Sequence, residues 1–327
     1  MDLSSILERF KNSSLEPKEN IQTTLKELVQ LSDQVPFPAS GETLKRWQIL
    51  SQISATNLSL GKIFESHLDA LAILHELNIP ANSHQLWAVW AAEGGPQPLQ
   101  LDEGKLTGIK TWCSASGWVE SGLLTYRDEQ NRSQLLIVDM QLTGIQHDHT
   151  VWQAVGMQHT STAQLEFNQV PVKKVADPHA YLDRVGFWHG AAGVAACWYG
   201  ATVALAEYLQ QEQLRKPHMY KAMYLGEISR DLLATQALFY RVAELIDQQP
   251  KFPHQLQIQA LRAQVEATAL NVLNQVGKAL GASPYCTNSY FAQLAADLPV
   301  FIRQSHAAFD LERIGELSAQ EEELWAL

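Results

Sequence analysis

The hydrophobic period of this sequence changes twice along its 327 residues, and that double change restricts the chain to a mixed helical and β architecture. Up to about residue 80, apolar residues recur at three- and four-residue spacing, as in Ile21, Leu25 and Leu28. Over 83–175 the segments are short, rich in Trp, Val, Thr and Ile, and interrupted by glycines. After Asp177-Pro178 the helical period returns and continues along the rest of the sequence.

This pattern predicts an α+β fold with N-terminal helices, a small central antiparallel β-barrel or sandwich, and a C-terminal four-helix bundle. We predict domain boundaries that give a helical domain at 1–81, a β domain at 82–176 and a bundle domain at 177–327. The four long helices of the bundle are predicted at 187–211, 219–247, 255–280 and 289–314.

One stretch, 186–206, is uncharged over the length of a membrane-spanning helix. It consists largely of Gly and Ala, and small residues four apart, such as Gly186 and Gly190, let neighbouring helices approach closely. We therefore expect a buried helix of a bundle, with no membrane association. The first ten residues lack the basic start and apolar block of a secretory signal, so we expect none.

The charge balance excludes several classes of partner. Lys and Arg number 24 and Asp and Glu number 35, which gives a formal net charge of −11. Such a field repels phosphate backbones and anionic headgroups, so we predict binding to neither nucleic acid nor membrane surfaces. Cys113, Cys197 and Cys286 are widely spaced and form no Cys-x-x-Cys motif, which favours a reducing, cytoplasmic setting.

Common catalytic and metal-binding motifs are missing. His147 and His149, with His159 further along, have a metal-like spacing, but no carboxylate or cysteine motif joins them. We predict no metal site. No Gly-x-Ser-x-Gly elbow supports a hydrolase, and no Gly-x-Gly-x-x-Gly string follows a predicted strand.

Several strings instead occur in a specific order. Residues 104–115 read GKLTGIKTWCSA, residues 155–162 read VGMQHTST, residues 165–172 read LEFNQVPV, and residues 279–282 read ALGA. In order and spacing they resemble the β-domain and bundle motifs of the acyl-CoA dehydrogenase family, over most of the chain. The resemblance implies an FAD-dependent oxidoreductase with the helical, β, helical order predicted above.

The resemblance assigns roles to particular residues. It implies that Trp112 packs against the isoalloxazine ring and that the Ser114 hydroxyl lies near flavin N5, although Trp112 also suits a β-core aromatic and Ser114 a turn. Arg215 and Lys216 would offer positive charge to the FAD pyrophosphate from a different place than the family's arginine, or would belong to a solvated link. In a homodimer or homotetramer, Gly281 and Ala282 would form the turn donated to a neighbouring subunit's cofactor.

The sequence also departs from the family. The family's Thr-Glu-Pro-x-x-Gly-Ser-Asp string is replaced by AEGGPQP at 92–98, which lacks the Thr hydroxyl and is shorter. The Arg-Lys-x-Phe-Gly string of the family corresponds only to LRKPH at 214–218. Both differences concern segments that hold the flavin in the family.

Catalysis by the family needs a carboxylate that removes a proton α to a thioester carbonyl. Counting from Gly281, the expected glutamate falls near Ser305, which cannot act as that base unaided. The candidates are His306, which we favour, and the carboxylates Asp310, Glu227 and Glu266.

A structural explanation of the same segment is also open. Arg303 and His306 lie three residues apart and would share one helix face, where they would pair with Asp297 or Asp310. The spacing of Arg303 and His306 also resembles the related flavin monooxygenase branch, in which a histidine lies near the flavin.

Three functions follow from these alternatives. The first is α,β-dehydrogenation of an acyl-CoA or acyl-carrier thioester, with a redox partner for the flavin. The second is a monooxygenase of the same fold that uses reduced flavin from a separate reductase. The third is a non-catalytic relative that acts through a partner or an acyl carrier.

Overall fold

The computed structural model describes residues 2–326, which divide into two compact units. The first unit comprises the described residues up to Val35, together with Lys62–Ala154 and Gln158–Phe187. The second comprises Pro36–Gly61, Val155–Met157 and the described residues from Trp188 onward. The three predicted domains are continuous ranges, whereas each of these units joins separate segments of the chain that contact one another. The three-domain division therefore stays a prediction.

The order of elements is helical, then β, then helical, which confirms the predicted α+β class. The helices are α1 Leu3–Lys11, α2 Pro17–Val29, α3 Thr43–Thr56, α4 Leu58–Glu76, α5 Ala180–Asp183, α6 Gly186–Arg215, α7 Met219–Gln248, α8 Gln255–Leu280, α9 Ser283–Thr287, α10 Ser289–Phe301 and α11 Ala308–Ser318. The strands are β1 Trp87–Trp90, β2 Gln100–Asp102, β3 Lys105–Cys113, β4 Ser121–Arg127, β5 Ser133–Asp139, β6 Ile145–Asp148, β7 Ala163–Pro171 and β8 Lys173–Val175.

In the first unit, the N-terminal helices are held to the strands by one buried histidine. Helix α2 begins with Pro17, whose fixed φ suits a first helical position, and buries its predicted apolar stripe. His67 of α4 hydrogen-bonds the Ser32 hydroxyl through Nε2 at 2.8 Å, and its Nδ1 accepts the Trp87 N–H at 3.2 Å. Both ring nitrogens are therefore used structurally.

The first unit contains two four-stranded sheets, with strand orders β1-β4-β5-β8 and β2-β3-β7-β6. All pairings are antiparallel except that of β1 with β4, which is parallel. The predicted antiparallel arrangement does not hold for this strand, because the chain leaves β1, forms β2 and β3 in the other sheet, and then returns as β4 to pair beside β1 in the same direction. Gly122 on β4 makes the pairing possible, since a Cβ there would collide with the Trp90 ring.

The second unit contains the predicted helical bundle. The uncharged stretch lies within α6 and is largely buried, and Gly200 packs so closely on the Ser51 carbonyl of α3 that a Cβ would collide with it. Helices α7 and α8 meet through the Thr235 and Thr268 hydroxyls, 2.8 Å apart. Within residues 2–326, no helix is long and apolar enough to cross a membrane.

The fourth predicted helix, 289–314, is divided in the structure. Helix α10 ends at Phe301, a short 3-10 turn covers Ile302–Gln304, and α11 begins at Ala308. Pro299 removes a backbone donor near the end of α10. Ser305 is extended and Ala307 has a φ of 47°, so the chain changes direction before α11. The prediction of one continuous helix was therefore wrong.

Candidate functional site

Trp112 and Ser114 lie at the irregular end of β3, in the first unit. The pairing of β3 with β7 shifts register between Lys110 and Cys113, and Trp112 takes a φ of 62° there. A non-glycine residue at such a φ costs about 1–3 kcal/mol and is often found at functional sites. The bulge turns the indole outward, so Trp112 is 58% exposed and is not a core aromatic.

The backbone around Ser114 is fixed on both sides. Its N–H donates to the Trp112 carbonyl at 3.1 Å, and its carbonyl accepts the buried Trp90 indole N–H at 3.1 Å. The Ser114 residue is buried, yet its hydroxyl makes no hydrogen bond to another residue of the described chain. Ser114 is thus a rigid turn residue whose hydroxyl has no protein partner.

A second indole stands beside Trp112. The Trp152 ring lies 6.1 Å from the Trp112 ring, edge to face at 82°. Its Nε1 is buried and has no acceptor among the residues that the structure describes. A buried N–H normally finds a partner, so an acceptor on a bound molecule would remove this deficit. Trp112, Ser114 and Trp152 are called the indole site below.

His306 lies in the second unit, in the break between the 3-10 turn and α11. Its N–H donates to Asp310 Oδ2 at 2.9 Å, and its Nδ1 lies 3.7 Å from Asp310 Oδ1. The Ser305 hydroxyl also approaches Asp310 Oδ2, at 3.4 Å, and accepts the Ala307 N–H at 3.2 Å. The imidazole itself is 76% exposed at its side chain. The Nδ1 side of an exposed imidazole therefore faces one carboxylate, which is held by the His306 backbone N–H.

The other polar groups of this region are paired elsewhere. Arg303 forms an ion pair with Glu266, and Glu227 accepts a hydrogen bond from Gln275 at 2.8 Å. Of the pairings predicted for this segment, the structure contains that of His306 with Asp310. Asp297 pairs with neither Arg303 nor His306.

Arg262 holds the segment before His306. Its Nη1 donates to the Ala191 carbonyl at 2.5 Å, and its Nη2 donates to the Gln304 carbonyl at 3.2 Å. The guanidinium carbon also lies 4.8 Å from the Trp198 ring centre. Arg262 is not among the residues predicted from the sequence, although a cation among apolar neighbours on the buried face of α8 was the available signal.

Asp297 holds a different segment of the second unit. Its Oδ1 accepts the Met157 N–H at 2.5 Å and the Gln293 amide at 2.7 Å, while its buried Oδ2 has no partner among residues 2–326. Burial raises the pKa of this carboxyl from 3.8 to about 6. The preceding Gly156 has no room for a Cβ against the Ala296 carbonyl, so the segment lies flat on α10.

The remaining predicted residues lie on the surface of the second unit. Arg215 ends α6 and is ion-paired at 2.7 Å with Glu212 of the same helix. Gly281 follows α8 with a φ of 66°, and Ala282 precedes α9. In the described chain, Arg215, this turn and His306 make no hydrogen bond, ion pair or ring contact with one another.

His147 on β6 and His149, which directly follows that strand, do not gather further ligands. His147 Nδ1 lies 3.3 Å from the Ser116 hydroxyl, and His149 Nδ1 lies 3.2 Å from the Thr162 carbonyl. Burial and the neighbouring His149 lower the pKa of His147. Over residues 2–326, no group of three or more His, Cys, Asp or Glu side chains is placed to hold a metal ion.

Several solved structures are similar to this chain, and the matches cover nearly its whole length. TdsC from Paenibacillus sp. A11-2, in complex with FMN and indole, has a TM-score of 0.77 at 13% identity, covering 96% of this chain and 93% of its own. XiaF from Streptomyces sp., in complex with FADH2 and glycerol, has a TM-score of 0.78 at 14% identity, covering 98% and 96%. The chain has an acyl-CoA dehydrogenase-like fold.

A third structure of this fold is the methanesulfinate monooxygenase MsuC from Pseudomonas fluorescens. Its TM-score is 0.69 at 15% identity, and the match covers 94% of this chain and 96% of MsuC. No protein-family model matches the sequence, and no curated protein is significantly similar to it. At such low identity, the acyl-CoA dehydrogenase-like fold is what these similarities establish.

Proposed function

We propose that this protein is a flavin-dependent monooxygenase that receives reduced flavin from a separate reductase. The observation that carries the proposal is the exposed His306 imidazole, whose Nδ1 lies 3.7 Å from Asp310 Oδ1, on a fold whose solved examples include flavin complexes and a monooxygenase.

The indole site fits a flat aromatic ring with polar edges. The exposed Trp112 offers an apolar face, and the unpartnered Trp152 N–H and Ser114 hydroxyl offer polar contacts. When bound there, a reduced flavin would supply the electrons for oxygen activation. The chain itself would contribute the indole face, the two polar groups and a backbone already held in place.

His306 would handle the proton. Its Nδ1 faces Asp310, which favours one ring orientation and leaves Nε2 as the atom that gives or takes a proton at the substrate. Asp310 is tied in turn to the His306 N–H and the Ser305 hydroxyl, so this carboxylate acts through the imidazole as a positioning group.

Dehydrogenation of an acyl thioester finds less support. That reaction needs an available carboxylate, and Asp310, Glu227 and Glu266 already have partners in His306, Gln275 and Arg303. We therefore place monooxygenation ahead of dehydrogenation, and place both ahead of a non-catalytic role.

Whether FAD binds more tightly than FMN depends on a cation that is available for the FAD pyrophosphate. FAD, which the family resemblance implies, needs a cation for its pyrophosphate, and Glu212 already neutralises Arg215. The ring-binding residues require no such charge. We propose that FMN and FAD both bind, and that FAD gains little over FMN unless the Arg215 ion pair opens.

The test supplies reduced flavin to the purified protein. A flavin reductase with NADH and either FMN or FAD generates reduced flavin, and indole serves as the first aromatic probe. We expect a product that contains oxygen from O2, detected by mass spectrometry with labelled O2. If no product forms with indole or a panel of aromatic and sulfur compounds, while acyl-CoA reduces an artificial electron acceptor, the chain is a dehydrogenase.

Two histidine variants make that test specific. His306→Asn should reduce product formation at least about 100-fold, the usual scale of acid–base catalysis, with flavin affinity unchanged. His84→Asn is the matched control, because His84 is also exposed and faces a carboxylate, Asp33, at 3.6 Å. Equal losses in the two variants would remove His306 from the mechanism.

We also propose that the protein is a homodimer that uses the outer face of α7. Apolar and small residues recur there at heptad spacing and are all exposed; with one arginine they are Met219, Met223, Gly226, Arg230, Leu233, Ala237 and Tyr240. An antiparallel second copy with its two-fold axis between Leu233 and Ala237 would place Leu233 against Ala237 and Tyr240 against Arg230. Gly281 and Ala282 stay predicted contributors to a neighbouring subunit's cofactor.

A further inference from the structure

The first unit contains a cavity that the proposed reaction does not use. It has a volume of about 80 Å³ and lies between the loop that follows β1 and the neighbouring strands β3 and β4. Its polar lining includes Glu93, the Gly94-Gly95 backbone, Lys110, Thr125 and Arg127. One water needs roughly 10–15 Å³ of such space, so the cavity accommodates a few heavy atoms but not a flavin ring.

Lys110 brings to this cavity a positive charge that has no ion-pair partner among the described residues. The residue is only 4% exposed, although lysine is rarely buried without an ionic partner. Its Nζ donates to the Thr125 carbonyl at 2.5 Å and to the Thr125 hydroxyl at 3.3 Å, both of which are neutral. No carboxylate of the described chain forms an ion pair with it, and its third N–H lacks an acceptor there.

A second cation and two free amides complete the lining. Arg127 pairs through Nε with Glu93 at 2.6 Å and through Nη1 with the Asn131 carbonyl at 3.2 Å. The Gly94 and Gly95 N–H groups donate to no other residue of the described chain. The cavity thus holds two cations and one carboxylate, and is locally positive on a chain whose net charge is −11.

We propose that this cavity binds a small oxyanion, either a free ion or the carboxylate, sulfinate or phosphate end of a larger molecule. The third N–H of Lys110 and the amides of Gly94 and Gly95 would donate to its oxygens, and the Lys110 charge would be compensated. The proposal does not depend on flavin chemistry, and it holds whether or not the chain is a monooxygenase.

The titration of Lys110 gives the binding a pH dependence. Burial lowers the pKa of its ammonium group from 10.5 to about 8, while Glu93 acts in the opposite direction. The charged and titratable groups that face it are Glu93, Cys113, Tyr126 and Arg127. Because the anion needs the ammonium form, affinity should fall as the pH rises through about 8.

The experiment measures anion binding by isothermal titration calorimetry at pH 7 and at constant ionic strength, with chloride as the background anion. Inorganic phosphate and acetate probe a free ion, and octanoate probes the end of a larger molecule. We expect at least one of them to bind, with the affinity at least tenfold lower in Lys110→Met. Lys105→Met, on the exposed start of the same strand, should bind like the wild type.

The probe preference separates the two sources of the anion. Octanoate binding tighter than acetate indicates the end of a larger molecule, and equal or weaker binding indicates a free ion. The proposal is wrong if none of the three binds above the chloride background, or if Lys110→Met binds them as the wild type does.

A second variant decides the matter if Lys110→Met does not fold. Glu93→Gln removes the one carboxylate of the cavity and frees Arg127, so affinity for the anion should rise at least threefold. An unchanged or lower affinity in Glu93→Gln would overturn the proposal. Both variants are read by anion binding and not by oxygenase activity, so a failure of the monooxygenase proposal leaves this test unaffected.

Discussion

The sequence predicts that Trp112 contacts a flavin, but it does not predict the local backbone around this residue. The string that contains it predicts a flavin contact, but does not show that a bulge turns the indole outward. Lys110 is the converse case. The alternation of β3 places Lys110 on the buried face with Leu106 and Gly108, so its burial can be predicted from the sequence. Its lack of a carboxylate partner depends on how β1 and β4 pack around it, which the sequence does not show.

Replacing Trp112 with alanine should separate binding from stability. Because the indole is largely exposed, Trp112→Ala should change the free energy of unfolding by less than about 1 kcal/mol. We expect flavin affinity, measured by fluorescence quenching, to fall at least tenfold. Trp325→Ala removes another exposed indole and serves as the control. Flavin affinity equal to that of the wild type would show that Trp112 does not contact the cofactor.

Asp297 should make the stability of the protein depend on pH in a defined window. Its pKa is about 6 in the folded protein and 3.8 in a free carboxyl, so the folded state favours the protonated form. Its contribution to stability is therefore complete below pH 4 and is lost as the pH rises to about 6. A shift of this size corresponds to roughly 3 kcal/mol.

Asparagine at this position should remove that dependence. Urea unfolding at pH 4 and pH 7 should show a smaller difference for Asp297→Asn than for the wild type, because the amide keeps an acceptor for the Met157 N–H and does not ionise. Asp102→Asn, at an exposed carboxyl, should behave like the wild type. The same difference in all three proteins would show that folding does not raise the pKa of Asp297.

Among the elements, helices were predicted better than strands. The three- and four-residue period determines where α6, α7 and α8 lie, and their predicted and observed bounds agree within a few residues. The break between α10 and α11 escapes the same signal because apolar spacing continues across it. Alternation of apolar and polar residues indicates a strand but not its partner, so the parallel pairing of β1 with β4 could not be predicted from the sequence.

The start of α3 depends on a side chain some 200 residues away in the sequence. Asp247 of α7 accepts the Thr43 hydroxyl at 2.6 Å and the Thr43 N–H at 3.0 Å, in the place of a local N-cap. Asp247→Ala should lower the free energy of unfolding by about 2 kcal/mol, and Asp247→Asn by less. Gln248→Ala, on the exposed neighbour, should cost under about 0.5 kcal/mol. Similar losses for Asp247→Ala and Gln248→Ala in urea unfolding would contradict this capping role.

For the whole molecule, the exposed face of α7 predicts an assembly that one charge can disrupt. Leu233 is 65% exposed and lies at the centre of the proposed two-fold interface. Leu233→Glu places two carboxylates at an apolar contact, so we expect monomers where the wild type has twice the monomer mass. Sedimentation velocity at micromolar concentration gives the masses.

Leu214→Glu is the control for that experiment, since Leu214 is equally exposed but lies near the end of α6. It should leave the dimer intact. A monomeric wild type, or a Leu233→Glu variant that stays dimeric, would show that α7 does not form the interface.

Arg262 has a consequence for how enzymatic rates should be interpreted. A guanidinium stays charged at every pH at which proteins remain folded, so its ties to Ala191 and Gln304 do not titrate. The backbone that leads into His306 should then keep its position in mild acid and mild alkali alike. An inflection in a plot of rate against acidity would accordingly have to come from a group other than Arg262.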